Sequence, residues 1–575
     1  MDDLNSQDPA DLNRLIATGY LRLGPWDSMN DKDKVVDHDQ RMTDLVNTTG
    51  QAFLGLTMTC SKCHNHKYDP ISQADYYRLS AFFAAVKPND LPVVNPQLHA
   101  ETEAHNARIK EEIAEWRKPI EAMVEEVRGR LVEERRAKFP PEIVELLKSD
   151  ESRRDDETKK KLKPWLEQLK VGEQEAAKRF STEARAAYDA LLRKIAVLQS
   201  KRRPKAMLVV ASDEKGDPPA TYVLAAGNYA KPLEQVQPGF LSVFGDAPAE
   251  VRPPANGRAT GRRLALANWI ASPDNPWTAR VMVNRLWQRH FGRGIVATPD
   301  DFGLSGSRPT HPELLDWLAR EFIESGWSVK HIERLIVTSA TYRQSSGYDA
   351  AKAAVDPDND LLWRQNPRRL DAEALRDAML AVAGELRPYA SGRAMWLDVP
   401  IHVRLSESSI VFAETGGNSG HDDLMGWDAD PPEMTDVRTL FLVKKRSLPH
   451  PMLQAFNQPD MTIACGRRDV TTVSPQALML LNDPFAIRMA EALARRASRE
   501  AGPEASRQVE HLIWLTLGRG PRPEEMALAR ELIERHTQIR AWAAASGKES
   551  PDPSQAALVD LCRALLNTNE FIYID

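Results

Sequence analysis

Cysteine is scarce in this sequence, with only four among 575 residues. So few thiols exclude a disulfide framework of the kind that holds small secreted domains together. Long hydrophobic runs are also missing: no stretch of about 18 apolar residues occurs, so no transmembrane helix is predicted. The amino end, Met1-Asp2-Asp3-Leu4-Asn5, lacks the basic start and apolar core of a secretory signal.

The sequence also lacks a strong excess of either positive or negative charge. The net charge is −6, with 27% charged and 42% hydrophobic residues, which is ordinary for a globular protein. This balance predicts no nucleic-acid partner. The sequence also lacks the G-x-x-x-x-G-K-[ST] phosphate loop, the G-x-S-x-G nucleophile elbow and the H-E-x-x-H zinc helix, so those enzyme classes receive no support.

Two of the four cysteines lie in one short motif, Cys60-Ser61-Lys62-Cys63-His64, with His66 close behind. C-x-x-C-H is the attachment signature of haem c. Thiols three positions apart can each form a thioether with a haem vinyl group, and the following histidine can supply an axial nitrogen to the iron. The motif therefore predicts haem c bound by Cys60, Cys63 and His64.

Other interpretations of the motif stay open. Cys60, Cys63, His64 and His66 are all acceptable zinc ligands, so zinc is the alternative cofactor. A redox C-x-x-C pair and two thiols without a ligand are further alternatives. If haem is bound, the distal ligand is open between His38, Met58 and a residue of the C-terminal half. Aromatic residues at near-helical spacing after the motif are predicted as core rather than as a haem face, and they are Tyr76, Tyr77, Phe82 and Phe83.

Composition and periodicity divide the chain into four segments, and together they predict a mainly α fold class with multi-helix domains. The first segment carries the motif. The second is rich in Glu, Lys, Arg and Ala, which predicts a long charged helical hairpin or coiled coil, and the third is predicted to combine a small β-rich insert with a linker. The fourth is a helical C-terminal domain. Their bounds are 1–100, 101–203, 204–260 and 261–575. Within the charged segment, prolines should end or kink helices at Pro119, Pro140, Pro141 and Pro164.

Polar residues at predicted helix starts and loops of the C-terminal half are candidates for catalysis, because such loops often carry sites. Asp300 and Asp301 form a carboxylate pair suited to acid/base chemistry or cation binding, whereas Asp371 is also placed to cap a helix. The catalytic candidates are His311, Asp300, Asp301, Arg343, Asp371 and Glu373. Further recurring polar residues are His290, Asp316, Arg369 and Arg376.

The remaining cysteines differ in their surroundings. Cys465 lies in a polar loop before Arg467 and Arg468, where positive charge would stabilise a thiolate. It is interpreted as a distant metal ligand or a free thiol. Cys562 lies on an apolar helix and is predicted to be a core residue.

Longer stretches carry a family resemblance. Phe53-Leu54-Gly55-Leu56-Thr57 leading into the motif, followed by His66-Lys67-Tyr68-Asp69-Pro70, resembles the cytochrome-associated domain of unknown function 1549 (PSCyt type) of planctomycetes. Asp300-Asp301-Phe302-Gly303, Thr310-His311-Pro312-Glu313 and Ser339-Ala340-Thr341-Tyr342-Arg343 resemble its usual companion, the domain of unknown function 1553 (PSD type). The resemblance covers most of the chain.

This resemblance implies a planctomycete-type secreted protein whose first domain is truncated here at its amino end. The full-length form would be periplasmic or extracytoplasmic, although the chain as it stands, without a signal peptide, also allows a cytoplasmic location. The expected function is an exported c-type haem-associated protein, active in electron transfer or as a redox component, with a cytochrome or other redox partner. The alternatives are a zinc-stabilised scaffold and a hydrolase-like enzyme with its site on the C-terminal helical domain. No oligomeric state is predicted.

Overall fold

A computed structural model describes most of the chain, and the fold class is mainly α, as predicted. The described residues are 9–24, 34–92, 96–148, 155–200, 202, 207–214, 217–245, 248–254, 259–389, 394–399, 429–445, 448–461, 464–545 and 552–574. Within them, short strands form two-stranded sheets only. None of the helices described there is long and apolar enough to cross a bilayer.

The helices and strands are numbered in chain order. The helices are α1 (Pro9–Ala17), α2 (Lys34–Thr49), α3 (Gln73–Ser80), α4 (Pro96–Arg136), α5 (Pro141–Lys148), α6 (Asp156–Leu169), α7 (Glu173–Ala177), α8 (Thr182–Ser200), α9 (Arg262–Ile270), α10 (Thr278–Phe291), α11 (Pro312–Glu324), α12 (Val329–Thr338), α13 (Ala350–Val355), α14 (Ala372–Ala383), α15 (Pro432–Thr435), α16 (Pro451–Ala455), α17 (Ser474–Asn482), α18 (Pro484–Ala501), α19 (Ala505–Leu517), α20 (Pro523–Ala545), α21 (Pro553–Leu566) and α22 (Asn569–Ile572). The strands are β1 (Val86–Pro92), β2 (Met207–Asp213), β3 (Thr221–Leu224), β4 (Pro232–Val236), β5 (Arg368–Arg369) and β6 (Tyr573–Ile574).

The chain forms two compact units. One is drawn from residues 3–20 and 88–211, and it contains α1 and α4 to α8. In this unit the long helix α4 packs against α7 and α8 around a core that includes Ile120 and Ile195. The hydroxyl of Tyr188 donates a hydrogen bond to Glu173 at 2.9 Å, and burial raises the pKa of Tyr188 to about 12.

The helices do not end at two of the four prolines that were predicted to end or kink them. α4 runs from Pro96 to Arg136 with Pro119 inside it, and α6 contains Pro164. The lost backbone hydrogen bond and the ring clash cost about 3 kcal/mol at an interior proline. Burial of neighbouring side chains offsets this cost, because Ile120 and Leu162 are both fully buried. Pro141 occupies the first position of α5, where a proline is favoured.

The other unit combines residues 21–87 with residues 212–575. One of its apolar clusters lies between α10, α11 and α12, and a larger one is built by α14 and the helices from α16 to α22. Backbone contacts join the early segment to the later one, since the amide of Phe302 donates to the carbonyl of Gly55 at 2.7 Å. Arg285 likewise donates to the carbonyls of Gln51 and Ala52. The segment that carries the C-x-x-C-H motif is therefore fixed to the helical C-terminal segment.

Helix caps explain where several of these helices begin. Ser328 caps α12 by accepting a hydrogen bond from the amide of His331. Ser72 and Asp75 form a reciprocal capping box at the start of α3. Asp75 is fully buried and also accepts from the amide and hydroxyl of Ser242. These bonds fix the start of α3, which lies next to the motif in sequence.

A glycine is required at position 55, where residues 21–87 pack closely against residues 212–575. Its φ is +61°, and a Cβ built there would lie 2.7 Å from the Phe302 ring and 2.9 Å from Val281. Gly55→Ala is therefore expected to lower the free energy of unfolding by about 3 kcal/mol, combining left-handed strain with overpacking. Gly326→Ala is the matched control, because Gly326 has φ +70° and open space around it. Urea unfolding should show a loss of only about 1 kcal/mol for that control; equal losses would contradict the packing argument.

Candidate functional site

The C-x-x-C-H motif forms a single helical turn. Residues Thr59–Lys62 are a 3-10 helix, and the amides of Cys63 and His64 both donate to the carbonyl of Cys60, at 3.2 and 3.4 Å. Positions i, i+3 and i+4 share one side of a helical turn, so this backbone places Cys60, Cys63 and His64 together. Both thiols are free and exposed, and His64 is exposed as well.

Helices α2 and α3 anchor this turn through Lys62. The Lys62 ammonium donates to Asp39 Oδ2 at 2.7 Å and to Thr43 Oγ1 at 2.9 Å. Its carbonyl accepts from the Tyr77 hydroxyl at 2.8 Å and from the side-chain amide of Gln73 at 3.0 Å. Lys62, the middle residue of the motif, therefore fixes the turn to α2 and α3, while both thiols are exposed to solvent.

The aromatic residues after the motif are core, as predicted. Tyr76, Tyr77, Phe82 and Phe83 are all buried. Burial raises the pKa of Tyr76 and of Tyr77, and the nearby Cys63 adds to both shifts. These phenols therefore stay neutral and form part of the packed base of the turn.

The β3–β4 hairpin adjoins the second thiol. Gly227, in the connection between these strands, has φ +72°, and a Cβ built there would lie 2.7 Å from the Cys63 sulfur. The side-chain amide of Gln73 donates to the carbonyl of Leu224 at 2.8 Å, which fixes the hairpin to α3. Glycine at this position thus allows the backbone of the hairpin to lie directly against the Cys63 sulfur.

His64 is held in one tautomer. Its Nδ1 lies 2.7 Å from the carbonyl oxygen of Asn65. A carbonyl oxygen only accepts hydrogen bonds, so Nδ1 carries the proton and the neutral ring keeps its lone pair on Nε2. An exposed imidazole with a free Nε2 is suited to bind a metal or a haem iron.

His66 differs from His64 in both burial and tautomer. Its side chain is only 3% exposed, and its Nδ1 accepts a hydrogen bond from the amide of Asp69 at 2.9 Å. The neutral ring therefore carries its proton on Nε2. Asp69 is itself buried and accepts from the amide of Leu304 at 2.7 Å. His66 thus belongs to the joint between the early and later segments.

The residues of the motif fit haem better than a four-ligand zinc site. Both thiols and His64 are exposed on one turn among the residues that the structure describes, so these three side chains are accessible to a macrocycle. A zinc site formed with His66 would require Nδ1 of that buried ring to give up the Asp69 amide, or its Nε2 to lose its proton. Across the described ranges, no three His, Cys, Asp or Glu side chains are grouped as a metal site requires.

Of the two residues considered as distal haem ligands, Met58 is closed off from solvent and His38 is exposed. Met58 is fully buried, and its side chain lies against Gly50. Partial desolvation by the surrounding protein, together with the charge of Arg41, lowers the pKa of His38, which favours its neutral ring. Met58 in particular could reach a bound group only if the core around it opened.

A second candidate site is a cleft of about 650 Å³ in the C-terminal segment. Two predicted carboxylates, Asp300 and Asp301, line it together with the exposed thiol of Cys465. Asp300 pairs with Arg285 at 2.9 Å, and Gly466 packs so closely that a Cβ there would meet the Asp300 carboxylate at 2.1 Å. Asp301 accepts from the amide of Gly303 and the hydroxyl of Ser305, as expected of a turn residue.

Glu373 contributes to the same cleft through Arg468, which lines it. The Glu373 carboxylate accepts two hydrogen bonds from Arg468, at 2.6 and 3.2 Å, and one from Gln458 at 2.9 Å. Burial acts to raise the pKa of Glu373, but these bonds outweigh it and the net shift is downward. Asp371 lies 3.7 Å from Arg468 and stands at the N-cap position of α14 without a side-chain cap bond.

Glu373 makes stability depend on pH in a defined direction. The pKa of Glu373 is lowered in the folded state. Its contribution to the free energy of unfolding is therefore complete above the ordinary carboxyl pKa, and it is lost as the pH falls through the lowered pKa. Glu373→Gln is expected to reduce the free energy of unfolding by about 2 kcal/mol at neutral pH and by less in acid. Urea titrations at several pH values measure this, with the exposed Glu313→Gln as control. A constant difference at every pH would contradict the assignment.

The structure separates the remaining candidates from the cleft. His311 is the N-cap of α11 and bonds the Thr310 hydroxyl at 3.0 Å, and Arg343 is exposed after α12. Neither lines the cleft. Arg376 is buried in the core of the segment, and Cys562 is core as predicted, with a pKa raised by burial.

Several residues that shape these sites were not predicted from the sequence. Arg285 and Gln458 position the cleft's carboxylates, and Asn65 and Gln73 position the motif. The one local signal was the place of Gln73 at the start of α3, directly after a serine suited to capping. The other contacts join distant parts of the chain or depend on backbone groups, which leave no pattern in the sequence.

Two protein-family profiles match the chain. One is PSCyt2, described as "Protein of unknown function (DUF1549)", over residues 2–88. The other is PSD1, described as "Protein of unknown function (DUF1553)", over residues 262–533. Their order and pairing confirm the resemblance found in the sequence. No curated protein and no solved structure matches the chain.

Proposed function

This chain belongs to the proteins that pair a PSCyt2 domain with a PSD1 domain, and on that premise we propose that it binds haem c. Cys60 and Cys63 would hold the haem through thioethers, and His64 would supply a nitrogen ligand to its iron. The protein would then serve as an electron-transfer or redox component that acts on an extracytoplasmic substrate after export. A cytochrome or another redox protein is the partner that such a group requires.

The single observation that supports this most is the state of His64. Its Nδ1 donates to the Asn65 carbonyl, so the neutral form of the ring keeps its lone pair on Nε2, on an exposed side chain next in sequence to an exposed thiol. A histidine that served only the fold would more often use both ring nitrogens inside the protein, as buried polar groups do. When bound, haem c would supply one-electron chemistry, and the chain would supply its attachment and orientation.

Haem analysis of exported protein tests the proposal. The full chain is fused to a bacterial signal peptide and produced in a host with the c-type maturation machinery. We expect a sharp Soret band and colour that stays with the polypeptide after acid–acetone extraction, because thioethers survive denaturation. Colourless protein that contains about one zinc per chain would overturn haem in favour of the zinc-stabilised scaffold.

The cleft favours a hydrolase-like enzyme as a second candidate function. The specific observation is that Asp300, Asp301 and Cys465 line the same cleft, with Glu373 bonded to Arg468, which also lines it. Paired carboxylates suit general acid/base catalysis. Hydrolysis of p-nitrophenyl acetate, phosphate or glucoside that Asp300→Asn abolishes, and that Cys60→Ser/Cys63→Ser leaves intact, would support this function. No hydrolysis, or hydrolysis unchanged by Asp300→Asn, would reject it.

A further inference from the structure

Asn65 makes two hydrogen bonds that together fix the carbonyl beside His64. Its backbone oxygen lies 2.7 Å from His64 Nδ1, and its side-chain Oδ1 accepts from the amide of Gln73 at 2.9 Å. Gln73 is the first residue of α3, where backbone amides have no partner inside the helix. The Asn65 side chain thus supplies a partner that the helix itself cannot provide.

Gln73 is in turn held from two sides. Its side-chain amide donates to the carbonyl of Lys62 at 3.0 Å and to that of Leu224 at 2.8 Å. Lys62 lies within the motif turn, so one residue joins the start of α3, the turn and the β3–β4 hairpin. The bond from the Gln73 amide therefore restrains Asn65, whose carbonyl lies beside His64, relative to this junction.

We propose that Asn65 is a positioning residue that selects the His64 tautomer with a free Nε2 and sets the orientation of the ring for axial ligation. This inference rests on the proposed haem function. A ligating histidine needs its second nitrogen bonded to a fixed acceptor, which sets the tautomer and increases the basicity of the ligand. The Asn65 carbonyl is that acceptor, and the Gln73 amide is what fixes it.

His66 shows that the tautomer of each ring is set by its immediate hydrogen-bond partner. His66 holds the opposite tautomer, because its Nδ1 accepts from the Asp69 amide. Two histidines separated by one residue thus present different nitrogens, one to solvent and one to the protein interior. Asn65 lies between them, and its carbonyl contacts only the first.

Two variants of Asn65 separate positioning from folding. Asn65→Ala removes the acceptor of the Gln73 amide and releases the carbonyl beside His64. Asn65→Asp keeps an acceptor of the same size and places its negative charge at a helix N-terminus, where such charge is favourable. The aspartate variant is therefore expected to behave as the natural protein does, and the alanine variant is not.

Nitrogen-15 NMR of histidine-labelled full chain, produced without haem, reads the tautomer directly at a pH where the rings are neutral. His64→Gln and His66→Gln assign the signals. We expect His64 protonated on Nδ1 in the natural protein and in Asn65→Asp, and a majority of Nε2-protonated ring in Asn65→Ala. His66 is the internal control and should stay protonated on Nε2 in all three. Protonation of His64 on Nε2 in the natural protein, or no change in Asn65→Ala, would overturn the inference.

A second readout in haem-loaded protein separates this inference from the function on which it rests. Asn65→Ala is expected to raise the midpoint potential, because a less basic imidazole stabilises the oxidised iron less. If exported protein carries no haem, the proposed function fails while the tautomer measurement still stands. If haem is present and neither the tautomer nor the potential responds to Asn65→Ala, only the inference about Asn65 fails.

Discussion

Replacing Cys60 and Cys63 together by serine is expected to eliminate covalently bound haem from protein exported through a c-type maturation host. Each thioether requires one of the two sulfurs, and both sulfurs are exposed on the same helical turn. A haem stain of denatured protein on a gel measures the bound group. Because neither thiol is buried, circular dichroism should show that the fold is unchanged. Haem that remains bound after denaturation of the double variant would refute the assignment.

Single variants and a distant cysteine sharpen this test. Cys60→Ser and Cys63→Ser each leave one sulfur, so one vinyl group should stay unreacted and shift the pyridine haemochrome band to longer wavelength. Cys465→Ser is the matched control, since Cys465 is also exposed but lies in the cleft of the C-terminal segment. It should retain full haem with an unchanged spectrum. Loss of haem in this control would point to a role for Cys465 that the motif does not explain.

The motif could be predicted from the sequence because its chemistry is local. Five consecutive residues define the spacing, and the turn that they form needs no distant partner to be recognised. The distinction between His64 and His66 could not be predicted, because both are histidines in a polar stretch. It depends on a backbone carbonyl for one ring and a backbone amide for the other. Only the fold of the segment decides which nitrogen is left free.

In the C-terminal segment the sequence predicted carboxylates but not their partners. Asp300 and Glu373 were predicted as candidates, and each proves to be bonded to an arginine from elsewhere in the chain, Arg285 and Arg468 respectively. The sequence separation of the second pair hides it from any local pattern. The continuation of α4 past Pro119 has a related reason, because the burial of Ile120 beside it outweighs the tendency of proline to end a helix.

Arg376 was one of the recurring polar residues in the sequence, and the structure places it in the core. It is only 2% exposed, and its guanidinium donates to the carbonyls of Thr435 and Val437 and to the Thr439 hydroxyl. Burial lowers its pKa to about 10, although the nearby carboxylate of Asp436 acts to raise it. Hydrogen bonds to desolvated backbone carbonyls thus stabilise the buried guanidinium of Arg376.

Arg376→Ala is therefore expected to lower the free energy of unfolding by about 4 kcal/mol, because it leaves buried carbonyls unpaired and opens a void. Asp436, also buried, keeps its two bonds of 2.7 Å from Arg488, so the loss is expected to come from the Arg376 site itself. Arg376→Met retains most of the volume and should lose less, which separates the void from the unpaired carbonyls. The control is Arg495→Ala, whose side chain is 60% exposed; it should change stability by less than about 0.5 kcal/mol. Tryptophan fluorescence during urea unfolding measures all three, and equal losses for Arg376→Ala and Arg495→Ala would show that the buried guanidinium does not hold this part of the fold together.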